Sequence, residues 1–80
     1  MVPTMDEKKA MIGLNICYYR KFRCMTQIEL AEQIEVSSNF LSQVERGSKY
    51  LSLDKLIKVA EVLGVDAKSL LDFSRKQEFT

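Results

Sequence analysis

The stretch TQIELAEQIEVSSNFLSQVERG, Thr26 to Gly47, gathers Ser37, Ser38, Asn39, Ser42 and Gln43 into seven consecutive positions. These side chains are neutral and rich in hydrogen-bonding capacity: a hydroxyl both donates and accepts, and an amide does so through two separate atoms. They suit the reading of a donor–acceptor pattern better than the breaking of bonds. The chain has no His, which removes the commonest general base, and no phosphate-cradling Gly-rich loop. Its acidic residues are scattered along solvent faces, with no spacing that suggests a catalytic pair. With two thiols, Cys17 and Cys24, and no His, no four-ligand structural zinc site can be assembled within one chain. The cysteines lie seven residues apart on one expected helix and suit reduced, partly buried thiols. No enzymatic activity, metal or other cofactor is expected.

An exposed polar face is the ordinary fate of such residues, so their weight depends on the elements that carry them. Thr26 opens a T-x-x-E capping box with Glu29, and Met25 before it can staple onto the first turn. Leu30, Ala31 and Ile34 form the inward stripe of that helix. Glu35-Val36 leaves room only for a tight turn. Ser37 is a good N-cap for a third helix, in which Leu41 and Val44 point inward and Gly47 terminates as a C′ residue. Two short helices joined so tightly cross steeply, and the second can project from the surface. Leu30, Ile34, Val36, Leu41 and Val44 fill the wedge between them, and small Ala31 lets the backbones approach.

The flanking segments read as further helices. Thr4 and Glu7 form another T-x-x-E, and the helix they open runs to about Arg23 with Ile12, Ile16 and Tyr19 on one face. Gly13 within it either permits a close helix contact or marks a later start. Ser52 caps a fourth helix, SLDKLIKVAEVLG, with an apolar face of Leu53, Leu56, Ile57, Ala60 and Leu63 ended by Gly64. Asp66 caps a short fifth helix carrying Leu70, Leu71 and Phe73. Strand signals are missing. Eighty residues leave room for one core, so the expected fold is an all-α single domain over 1–80, with its core at about 12–73 and flexible tails at 1–4 and 74–80. The balance of 46% hydrophobic and 29% charged residues is that of a folded globular chain, and a net charge of +1 decides nothing about a nucleic-acid partner. No apolar run approaches membrane-spanning length and MVPTMDEKK holds no signal-peptide core, so a cytoplasmic protein with no membrane contact is expected.

TQIELAEQIEVSSNFLSQVERGSKYLSLDKLIKVAEVLGV resembles the helix-turn-helix of the Cro/phage-repressor family, also called the xenobiotic-response-element family. The similarity runs from about Ile12 to Phe73. Its densest parts are the TQxELA opening, FLSQVERG and SLDKLIKVAEVLGV, three blocks in order at the right spacing. The resemblance implies a five-helix, lambda-repressor-like DNA-binding domain whose third helix lies in the major groove. It places Ser38, Asn39, Ser42 and Gln43 at base edges, where Asn and Gln can bridge adenine N6 and N7. It sets Ser37 and Gln27 on phosphates at two helix starts, where free N–H groups favour an anion, and sets Arg46 and Lys49 on the sugar-phosphate backbone. Arg20 and Glu45 match positions that form a partly buried ion pair between the first and third helices. Glu35 departs from the Gly or Asn common in the inter-helix turn, and Leu51 stands where the family often has Pro. Lys21 and Arg23 read as a solvated charged face, Tyr19 as core, and Phe40 as a shield over the helix joint.

One recognition helix covers only a few base pairs. A homodimer is therefore expected, with two such helices reaching successive major grooves about 34 Å apart on a near-palindromic operator. Val62, Val65, Leu70, Leu71 and Phe73 are the expected dimer surface. The expectation is a small sequence-specific transcriptional regulator of double-stranded DNA. It is similar to the controller proteins of restriction–modification systems, to compact phage repressors and to antitoxins of this fold. No sensing domain is visible, so no small-molecule ligand is expected. The alternative, from another class, is an antitoxin or adaptor whose helical surface binds a partner protein and leaves the polar face of helix three passive.

Overall fold

The structure, a computed structural model, describes residues 2–74; Met1 and positions 75–80 of the expected tails lie outside the described residues. Five α-helices follow one another: α1 Met5–Phe22, α2 Gln27–Ile34, α3 Ser38–Glu45, α4 Leu53–Leu63 and α5 Ala67–Leu70. No strand occurs among the described residues. Local chemistry accounts for the helix starts. Thr4 and Thr26 each close a full capping box, the hydroxyl accepting from the N–H of Glu7 or Glu29 while that carboxylate accepts from the threonine N–H. The Ser37 hydroxyl accepts from Phe40 N–H, and that of Ser52 from Lys55 N–H. Asp66 stands at the start of α5 without a side-chain capping bond.

The core joins all five helices. Ile16 of α1, Leu30 and Ile34 of α2, Leu41 and Val44 of α3, Val59 and Leu63 of α4 and Leu70 of α5 are buried in one cluster. Leu53 and Ile57, expected on the inward face of α4, lie outside it at 69% and 43% exposure. The buried face is centred between Leu56, Val59, Ala60 and Leu63. At about 100° per residue, Leu53 and Ile57 fall roughly 70° and 110° round from that centre.

Packing against α1 sets the frame. A Cβ on Gly13 would stand 2.8 Å from the Glu45 carbonyl oxygen and would also collide with that of Val44, so glycine is what lets α1 meet the end of α3. Asn15, buried, donates from Nδ2 to the carbonyls of Leu70 at 3.0 Å and Asp72 at 3.1 Å, pinning the segment after α5 to α1. The first turns of α1 support the loop after α3. Gly47 packs on Ala10, the Tyr50 hydroxyl donates to the Met5 carbonyl at 3.0 Å, and Lys9 Nζ lies 5.3 Å from the Tyr50 ring centroid. Contacts from the first turns of α1 thus reach back to Met5.

Candidate functional site

The turn between α2 and α3 is the site's hinge point. Glu35 takes the left-handed conformation, φ 62 and ψ 46, which strains an L residue by roughly 1–2 kcal/mol. The reversal closes with Val36 N–H donating to Ala31 O at 3.0 Å and Glu35 N–H to Glu32 O at 3.3 Å. The chain therefore keeps the turn geometry that Gly or Asn would favour and carries the strain. Leu30, Ala31 and Ile34 on one side and Leu41 and Val44 on the other are all buried and set the crossing of the two helices.

On α3, Ser38 and Asn39 are exposed, whereas Ser42 and Gln43 are half-buried. Ser37 accepts as the cap, and its hydroxyl proton remains a donor. The Ser42 hydroxyl accepts from Arg46 Nη1 at 3.2 Å, so these two residues act together. Arg46 and Lys49 are exposed just beyond the helix. Ser48 donates through both its N–H and its hydroxyl to the Gln43 carbonyl, each at 3.0 Å, which fastens the backbone there. The first turns of α1, α2 and α4 carry acidic residues; that of α3 carries none. Its positive dipole end is left without a local carboxylate.

Beneath α3 lies a polar knot. Arg20 Nε and Nη2 donate to Glu45 Oε2 and Oε1 at 2.7 and 2.9 Å, and Nη1 donates to the Met25 carbonyl at 2.8 Å. Arg20 and Glu45 are 7% and 8% exposed, so the pair is buried and bidentate. Hydrogen bonding to Glu45 lifts the guanidinium above its ordinary range, against the opposing effect of burial. Gln27, expected at a phosphate, turns one amide N–H inward and donates to Glu45 Oε1 at 2.9 Å. Cys17 joins the same knot, its sulfur accepting from Arg20 Nη2 at 3.7 Å. Burial, then the Glu45 carboxylate, push its thiol above the usual value, which disfavours the reactive thiolate.

Other expected residues fall in different places. Leu70, expected at a dimer surface, is 0% exposed and belongs to the monomer's core. Val62, Val65 and Phe73 are half-buried, and Leu71 is 41% exposed. Arg23, read as part of a solvated face, donates from Nε to the Leu63 carbonyl at 2.7 Å and so caps the end of α4. No local pattern signals this bond, because donor and acceptor lie 40 residues apart. The bonds of Asn15 to Leu70 and of Gln27 to Glu45 likewise join residues far apart in the chain, and no local pattern signals them. Tyr18, Tyr19, Phe22, Arg23, Leu63, Gly64 and Val65 line a half-open apolar groove of about 270 Å³, with no α3 residue in its walls.

Comparison with known proteins points one way. A family model described as helix-turn-helix, HTH_3, matches residues 19–70. Over 50 residues the chain is 40% identical to the control protein C.BamHI of Bacillus amyloliquefaciens, covering 62% of each chain. It is 34% identical over 59 residues to the HTH-type transcriptional regulator RamB of Mycobacterium tuberculosis, covering 74% of this chain and 12% of that one. The chain therefore spans less than two thirds of the length of both relatives. The fold is similar to that of SinR, the master regulator for biofilm formation, in its complex with DNA. The TM-score is 0.71 with 40% identity, over 76% of this chain and 98% of that one.

Proposed function

We propose a function from one premise: this chain belongs to the helix-turn-helix family HTH_3. It is a sequence-specific transcriptional regulator that binds double-stranded DNA as a homodimer, with α3 in the major groove. One observation carries the reading. The N-terminal part of α3 presents Ser38 and Asn39 to solvent and lacks any first-turn carboxylate, while its opposite end is anchored to α1. Asn39 and Gln43 supply amides for adenine edges, with Ser38 and Ser42 beside them. Ser37, Arg46 and Lys49 take phosphates and add salt-dependent affinity without sequence information. Gln27 contributes from within, by holding Glu45. The similarity to SinR, which was solved in complex with DNA, supports this reading.

Two copies on a near-palindromic operator supply the affinity that one helix lacks. Val62, Val65, Leu71 and Phe73 form the dimer surface, with Leu70 behind them as core. No small-molecule ligand or cofactor enters this reading. The similarity to C.BamHI favours a controller-type regulator. The apolar groove and Phe22, 74% exposed, favour a second reading as an antitoxin or adaptor that binds a protein. A gel shift on duplexes selected from a random pool, repeated at rising salt, separates the two. A DNA-binding regulator loses affinity with a log–log slope of about −0.9 per neutralised phosphate. Absence of any retarded duplex at low salt would favour the adaptor.

A further inference from the structure

We propose that Lys55 is a positioning residue for the α3 surface, acting through the carbonyl of Ile34; the inference rests on the DNA-binding reading above. Lys55 lies in the first turn of α4, where its backbone N–H donates to the Ser52 hydroxyl at 3.3 Å. A cation there faces the positive end of the helix dipole, an unfavourable place. The half-buried side chain leaves it, and Nζ donates at 2.8 Å to Ile34 O. Ile34 is the last residue of α2, and its carbonyl is among those a helix end leaves without an intrahelical donor. The backbone reversal that follows draws on Ala31 O and Glu32 O instead. The ammonium thus sits at the negative end of α2, where a cation is favoured.

That carbonyl adjoins Glu35, and an L residue stays in the left-handed region only where its surroundings over-determine it. α3 packs mainly on α1 and α2, and α4 packs on α2, α5 and α1. The Lys55 bond therefore ties α4 directly to the segment from which α3 departs. Glu35 and Asp54 share the polar depression around Lys55 with Lys58, Gln33 and Ser52. Removing the ammonium would take from the Ile34 carbonyl its side-chain donor, in a depression that also holds Glu35, Asp54 and Lys58. Arg20 fixes α3 at its exit; Lys55 fixes its entry.

Lys55→Met keeps the alkyl stem and removes the donor, and Lys55→Arg keeps a cation. Each full-length variant is titrated, over a range of salt, against a duplex selected with the wild-type protein. Lys55→Met is expected to bind about tenfold more weakly, the scale of one lost charge-assisted hydrogen bond, with an unchanged salt slope. Lys55→Arg recovers most of the affinity. Affinity of Lys55→Met within about twofold of wild type overturns the proposal. So does a slope shallower by about 0.9, which would make Lys55 a phosphate contact. Amide exchange at Val36 decides the link without DNA: it quickens about tenfold in Lys55→Met if the strut holds the turn. Unchanged exchange overturns the proposal even if the wild-type chain retards no duplex, so the two readings fail separately. Lys55→Gln, neutral and shorter, serves the same comparison if Lys55→Met does not fold.

Discussion

At its C-terminal end α3 is gripped from below: Glu45 accepts from Arg20 twice and from Gln27 once, and Gly13 brings the α1 backbone against the Glu45 carbonyl. At its N-terminal end, about two turns away, Ser38 and Asn39 are exposed and the local hydrogen bond is the Ser37 cap. Anchoring and the proposed DNA contact thus fall to different residues of one eight-residue helix. A helix held along its whole length would have no surface left to offer a ligand. One held nowhere would lose its gain in binding to the entropy of ordering it. The division also means that substitutions at the two ends should fail in different assays.

The largest effect is expected at the anchored end. Arg20→Ala leaves the Glu45 carboxylate buried without its cation, and about 3–5 kcal/mol of stability is expected to go with it. A lowered melting temperature and weakened operator binding, through misorientation as well as lost charge, are the expected readings. A variant that kept both would erase the contrast between the ends. At the exposed end, Asn39→Ala is expected to leave stability within about 0.5 kcal/mol, because the side chain faces solvent. Its cost falls on binding instead, roughly 1–3 kcal/mol of discrimination at one base pair, read by competition with base-substituted duplexes. Equal weakening on every duplex would move Asn39 from base edges to the phosphates. The smallest effect concerns the turn that joins the two regimes. Glu35→Asn should gain about 1 kcal/mol or less in urea unfolding, since Asn tolerates the left-handed region. No gain would mean that the surroundings already offset the strain.

Much of this was legible in the residues, and what was legible is local. Both T-x-x-E boxes, the Ser37 and Ser52 caps and Gly64 act within a turn or two of themselves, so a short window of sequence holds the whole cause. The Leu30–Val44 wedge follows from helical periodicity in the same way. Gly13 announced a choice between close contact and a late start, and only the position of α3 resolves it. Apart from the Arg20–Glu45 pair, which the family resemblance supplied, contacts between distant parts of the chain left no comparable trace. Arg23 looks like any exposed arginine until the Leu63 carbonyl is placed beside it, and the bond from Gln27 to Glu45 spans 18 positions of sequence. Leu70 and Leu71 are equally apolar neighbours, yet one is core and the other surface; α5 is too short for periodicity to separate them. In the candidate site, resemblance supplied the positions, and packing decided which side chains are free to use them.

The support that the opening turns of α1 give to the loop beyond α3 bears on how this protein can be cut. The stretch matched by the family begins inside the last turn of α1, at residue 19. A fragment excised at that boundary would retain every side chain proposed to meet DNA. It would discard Gly13, Asn15 and Ile16, and would strip the Tyr50 hydroxyl of its acceptor on Met5. Anyone transplanting this helix pair onto another scaffold would need to carry the whole helix from Thr4, because the portable unit is larger than the motif by which it is known.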